Sequence, residues 1–159
     1  MAVPIFTSGE VLTADDCNNW FTEIPTYKLT STNRSSLSIT IDPDLQMTLA
    51  ASCVYKIEAG IIYQSTSAMR YAWTVPAGAS GGFTADFNLA GTGAGSWGFT
   101  FSSTNDAAAL GGSVNGVHLI GILQTSTTAG TFGFKWGSTS GPSSLTLGVG
   151  SILTARRVG

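Results

Sequence analysis

Catalysis and metal binding need side chains that hold a proton, a metal or a phosphate, and this sequence offers few. His118 is its only histidine. A Ser/His/Asp system would use it as general base beside an activated serine. The stretch Gly116-Val-His-Leu-Ile120 instead reads as a strand in which the ring is a packed or contact residue. The two cysteines, Cys17 and Cys53, lie outside any Cys-x-x-Cys pair, so with one histidine they make no transition-metal set. They read as reduced, buried thiols, with a bridge between them left open. Glu58 and Asp86 fall on strand patterns and are the carboxylates that could work as a pair on a glycosidic bond. The simpler reading of Glu58 is a partner for Lys or Arg on an outward sheet face.

Three further features resemble sites. Asp42-Pro43-Asp44 looks like a calcium-loop fragment, but lacks the spaced oxygens and closing Glu of such a loop; a turn is expected there. Gly91-Thr-Gly-Ala-Gly95 is glycine-rich like a phosphate loop, yet no helix follows to present its N-terminus, so a hairpin loop is expected. Tyr27, Tyr63, Tyr71 and Trp97 could stack sugars or bases, although the alternation puts most aromatics on inward faces. No catalytic, cofactor-binding or metal-binding residue is therefore assigned.

The elements behind these residues are mostly strands. Tyr55, Ile57, Ala59, Ile61 and Tyr63 alternate with Lys56, Glu58, Gly60, Ile62 and Gln64. The same period of two runs through Met69–Val75, Phe83–Leu89, Trp97–Phe101, Phe132–Trp136 and Leu145–Val149. Such alternation turns one row of side chains inward and the next outward. Val117–Leu123 is apolar on both faces, which predicts a central strand or one lining a subunit contact. Turn signals at Pro76-Ala-Gly78, Gly111-Gly112 and Ser140-Gly-Pro142 punctuate the runs. The expected fold is all-β: a β-sandwich or jelly roll of about nine or ten strands over residues 26–159. Residues 1–25 form an apolar arm and one short helix, Ala14 to about Phe21. Thr13 and Asp16 cap that helix, Glu10, Asp15, Asp16 and Glu23 cluster around it, and Pro25 limits it.

Composition narrows the function classes. Of 159 residues only 10% are charged while 43% are hydrophobic; soluble domains usually carry about 25% charged residues. A protein with little free surface, covered in part by neighbours, is the expected explanation. A formal net charge of −2 with scattered basic residues gives no electrostatic case for nucleic acid. No apolar run approaches the roughly 20 residues that span a bilayer, and the first residues lack the features of a signal peptide. Synthesis in a cytoplasm, and retention there until something releases the protein, are therefore expected.

Phe6–Trp20, Ser52–Tyr63 with Tyr71–Gly78, and Gly150–Val158 together resemble small β-rich virion structural proteins, of decoration or minor tail type, from tailed phages of actinobacteria. The resemblance implies a virion part and brings no catalytic residues. On that basis the chain is expected to act as a capsid decoration protein, a homotrimer of jelly rolls bound to the major capsid protein. Val3, Ile5, Phe6, Val11, Leu12, Trp20 and Phe21 would attach it, and Val117, Leu119, Ile120 and Ile122 would form the contact between copies. Two alternatives stay open. One is a minor tail or tail-tip protein whose loops near Gly91–Gly95 and Asn105–Gly112 touch host glycan or other tail proteins. The other is a glycan-cutting enzyme using Glu58 or Asp86.

Overall fold

The alternating runs pair into two antiparallel sheets that face each other across one apolar layer. The computed structural model describes residues 11, 13, 23–88, 95–107, 114–140 and 145–159, the side chains of 87, 88 and 95–97 excepted. Every element among these residues is a strand: β1 (Glu23–Tyr27), β2 (Thr32–Arg34), β3 (Thr40–Leu49), β4 (Val54–Ser65), β5 (Met69–Thr74), β6 (Ser80–Asn88), β7 (Gly95–Thr100), β8 (Asn105–Ala107), β9 (Val114–Gln124), β10 (Gly130–Ser138), β11 (Leu145–Leu147) and β12 (Ile152–Arg157). The larger sheet runs β1-β12-β4-β9-β6-β7, with β11 joining β4 to β2 beside β12; the smaller runs β3-β10-β5-β8. Apart from β1–β2, β6–β7 and β11–β12, every consecutive pair of strands changes sheet. The chain is thus a β-sandwich whose two layers cannot form independently. The expected helix lies outside the described residues.

The inward rows are those the alternation predicts. Tyr55, Ile57, Ala59, Ile61 and Tyr63 on β4 are buried, as are Met69, Tyr71 and Trp73 on β5 and Phe132, Phe134 and Trp136 on β10. Their centre is aromatic. Trp73 stacks on Phe132 at 5.0 Å between ring centroids, and meets Phe101 and Phe83 of the opposite layer edge-on at 5.6 and 5.8 Å. Edge-to-face and offset pairs add roughly 0.5–1.5 kcal/mol each beyond the area they bury. Val117–Leu123 belongs to β9, an interior strand between β4 and β6, so its position in the sheet agrees with its two-sided apolar character.

Two expectations need correcting, and each has a polar cause. Asp42-Pro43-Asp44 is no turn between strands but part of β3. There the register with β10 jumps from Gly133↔Gln46 to Lys135↔Ile41, so Asp42–Leu45 bulge opposite Phe134. The bulge turns the Asp42 carboxylate into the interior, where it takes hydrogen bonds from Lys28 Nζ at 3.1 Å, Trp136 Nε1 at 2.9 Å and its own neighbour's Asp44 N at 3.0 Å. Val149 is exposed rather than inward, because Gly148–Ser151 interrupts the run between β11 and β12 and resets its alternation. The same interruption lies opposite Lys28, whose N–H donates to Ser151 O at 2.9 Å, and the Lys28 side chain points inward. Residues 25 and 26 both lie in β1. Pro25 sits in that edge strand, where a missing N–H is tolerated. Counting β1 with β2 and β11 with β12 as single interrupted strands leaves ten of the twelve described.

Where β9 packs beside β6, side-chain volume is rationed. A Cβ built at Gly121 would stand 2.6 Å from Gly82 O and 2.7 Å from Phe83 Cβ; at Gly98 it would meet nothing within 4 Å. Gly121→Val should therefore destabilise by about 1–3 kcal/mol through overpacking, while Gly98→Ala should stay within about 0.5 kcal/mol of the parent. Urea unfolding midpoints of the two variants measure the difference.

Candidate functional site

The alternation that fills the core also sets what the larger sheet shows on its other side. Ile120 and Ile122 point outward from β9, Ile62 from β4 and Ile152 from β12, and all four are exposed. Between them the outward positions are small: Gly60 opposite Ile152 and His118, Gly116 opposite Ile62, and Gly82 opposite Ile122. On β7, Gly98 continues the row of Ile120 and Thr84. Next to Ile120 and Ile122 the glycines leave a broad, open depression of about 870 Å³, with Gly82 and Gly98 among its lining and Lys56, Thr84, Thr100 and Gln124 around it. A row of apolar side chains beside backbone-level glycine is a surface that another protein layer can approach closely.

Charge on this face centres on one paired group, with Arg156 and Glu23 beyond Lys56 in its row and Asp86 beyond His118. His118 Nε2 donates to Glu58 Oε1 at 3.0 Å, and Lys56 Nζ lies 3.4 Å from Glu58 Oε2. The hydrogen bond from His118 holds the Glu58 carboxyl below its usual range; slight burial opposes the shift and Lys56 reinforces it. Asp86 stands opposite His118 on the far strand β6, one strand beyond β9. Glu58 and Asp86 therefore share the face but are two strand spacings apart. At about 4.8 Å per spacing, and with Glu58 one outward row further along, their backbones stand on strands that are not neighbours.

The residues singled out from sequence separate as follows. Of the expected contact set, Ile120 and Ile122 reach the outer face, while Val117 and Leu119 alternate with them and are taken up by the core. Val11 is exposed; Val3, Ile5, Phe6, Leu12, Trp20 and Phe21 lie outside the described residues. So do Cys17 and most of the Gly91–Gly95 loop. Cys53 is a buried free thiol. Tyr63 and Tyr71 are in the core, and Tyr27 is exposed. Among the described residues no group of three or more His, Cys, Asp or Glu could hold a metal ion, and no helix is long and apolar enough to cross a membrane. Two features went unread in the sequence. One is the depression, whose signal is glycine recurring at outward strand positions. The other is the inward Lys28, for which an alternating pattern gives no signal.

No protein-family model matches the chain, and no characterised protein matches it by sequence. Among solved structures, a chain from the structure of the infectious bursal disease virus Gx strain aligns with 86% of this chain at 10% identity. The TM-score is 0.21 and this chain spans 38% of the other's length. A likeness that slight carries no argument about fold or function.

The electrostatics of the face can be read directly. With a depressed carboxyl, the stability Glu58 gains from its partners is present above the ordinary carboxylate range and is lost as pH falls through the folded value. Carbon-detected NMR titration should find the Glu58 midpoint below 4.5, and His118→Ala should move it upward. An unchanged midpoint in His118→Ala would remove the histidine from this account.

Proposed function

We propose that this protein is a structural subunit of a tailed-phage particle that associates with copies of itself through the outer face of its larger sheet. The observation that carries the proposal is the exposed Ile62, Ile120, Ile122 and Ile152 set around Gly60, Gly82, Gly98 and Gly116. Ile120 and Ile122 border the open depression on this face, and burial of apolar area yields roughly 25 cal/mol per Å². The low charge of the whole chain fits a protein whose surface is shared with neighbours. The similarity of Phe6–Trp20, Ser52–Tyr63 and Gly150–Val158 to small phage virion proteins supports the particle assignment.

The subunit is a jelly roll. This reading is supported by the sheet orders β1-β12-β4-β9 and β3-β10-β5-β8, with strands passing from one layer to the other and β6–β7 added as a hairpin at the far edge. Three copies packed around a common axis, one part of this face meeting a different part on the next copy, make a closed ring. On the virion the trimer sits on the head as a decoration protein, its N-terminal arm laid over the major capsid protein. No reaction is assigned to it.

Two measurements test this. Light scattering after size exclusion should give three times the chain mass for the parent and one chain mass for Ile120→Asp/Ile122→Asp, with circular dichroism unchanged. A parent that runs as a monomer at high concentration would overturn the self-association. Gold-tagged antibody on intact virions should decorate the head at regular spacing; labelling of the tail alone would overturn the head assignment.

A further inference from the structure

The buried polar group that joins the two sheets has the composition of a reaction centre. Lys28 Nζ lies 3.2 and 3.1 Å from the two oxygens of Asp42, and 3.0 Å from Oδ2 of Asp44. The Lys28 and Asp42 side chains have no exposed surface, whereas Asp44 is 38% exposed. Trp136 Nε1 donates to Asp42 Oδ2 at 2.9 Å. An amine thus faces a carboxyl group that a fixed N–H polarises, and a second carboxylate touches the amine and reaches solvent. The nearly equal distances put Nζ on the plane that bisects the Asp42 carboxylate through its carbon, not beside one oxygen. Groups held about 3–3.5 Å apart in a fixed orientation react as if at very high concentration.

We propose that Lys28 and Asp42 condense into an intramolecular isopeptide bond, with Asp44 carrying the proton. Asp44 takes one proton from the Lys28 ammonium. That proton passes from Asp44 to Oδ1 of Asp42, and the freed amine attacks the carbon of the resulting carboxylic acid, forming the N–C bond while Trp136 steadies the charge on Oδ2. One C–O bond of Asp42 then breaks. That oxygen leaves as water with two protons, the one Asp44 held and a second from the nitrogen. The nitrogen keeps one hydrogen, Asp44 ends as a carboxylate, and no electrons are exchanged with any other reagent.

Burial drives the step in the forward direction. An ion pair shut away from water is opposed by the lost hydration of both charges, and condensation removes both. The water released has a path out past the partly exposed Asp44. Asp44 itself is the poorer electrophile, because water reaches it and no donor comparable to Trp136 polarises it among the described contacts. The bond would fasten the segment between β1 and β2, in the larger sheet, to the bulge of β3 in the smaller one. It depends on no part of the assembly reading.

Peptide mapping of the denatured parent protein decides the matter. Trypsin should fail to cut after Lys28, and residues 35–56 should appear joined to the peptide that ends at Arg34, the sum lighter by one water. Asp42 precedes Pro43, which lacks the N–H needed for a backbone imide at Asp42, so the joined peptides report the side-chain bond. Cleavage after Lys28 with residues 35–56 free at full mass would overturn the proposal. Asp44→Asn should be cut after Lys28, release residues 35–56 unlinked, and show a lower thermal midpoint while keeping the parent's circular dichroism. A folded Asp44→Asn protein cross-linked to the parent's extent would overturn the role given to Asp44.

Discussion

One buried carboxylate holds the first half of the chain to the second. Asp42 has no exposed surface, and its oxygens are shared between a lysine from the larger sheet and an indole from the smaller. Leaving such a charge without its partner costs about 3–5 kcal/mol, a large part of the roughly 5–15 kcal/mol by which a domain is stable. The bulge in β3, the inward turn of Lys28 and the interruption between β11 and β12 all follow from satisfying that group. Arg34 extends the same seam. From β2 its guanidinium donates to Thr40 O, Ile41 O and Trp136 O at 2.7–3.0 Å and lies 4.1 Å above the Trp136 ring. Two cations on the first strands thus reach across to the backbone and carboxylate of the other layer.

The polar seam lies near one end and edge of the sandwich, and the aromatic layer fills its middle. Trp73, Phe83, Phe101, Phe132 and Phe134 form mutual ring contacts there. At Gly121 of β9 a side chain would collide with Gly82, Phe83 and Phe101. The inner face is accordingly committed to packing, and nothing on the outer face of the larger sheet is needed to hold the fold. That separation leaves Ile62, Ile120, Ile122 and Ile152 available for contact with other molecules.

How far the sequence could be read follows from the same physics. Side-chain alternation is enforced by the pleat, so Tyr55–Tyr63 and Phe132–Trp136 announced both their strands and their inward rows. Ile120 and Ile122 were legible as contact candidates because a strand apolar on both faces has a second face to cover. Their neighbours Val117 and Leu119 could not be separated from them without knowing which parity faces the core, a matter of register rather than composition. The Asp42 bulge was not legible, since Asp-Pro-Asp is also what a turn looks like; only the distant Trp136 and Lys28 decide between the two. Lys28 is the same case in reverse, a residue type almost never buried unless paired, whose partner lies 14 positions along the chain.

The character of the outer face follows from its glycines as much as from its isoleucines. Packed sheets stand about 10 Å apart because side chains from both layers must interdigitate. A face of large residues alone would hold a partner at that distance and accept it in several registers. Gly60, Gly82, Gly98 and Gly116 lower the floor between the isoleucines, so a second surface gains full contact only where its own side chains enter those positions. The Glu58–His118–Lys56 group adds a further constraint, since a partner that covers it must leave those hydrogen bonds intact or replace them. The face therefore combines a non-directional attraction with a specific register, the combination a repeating assembly requires.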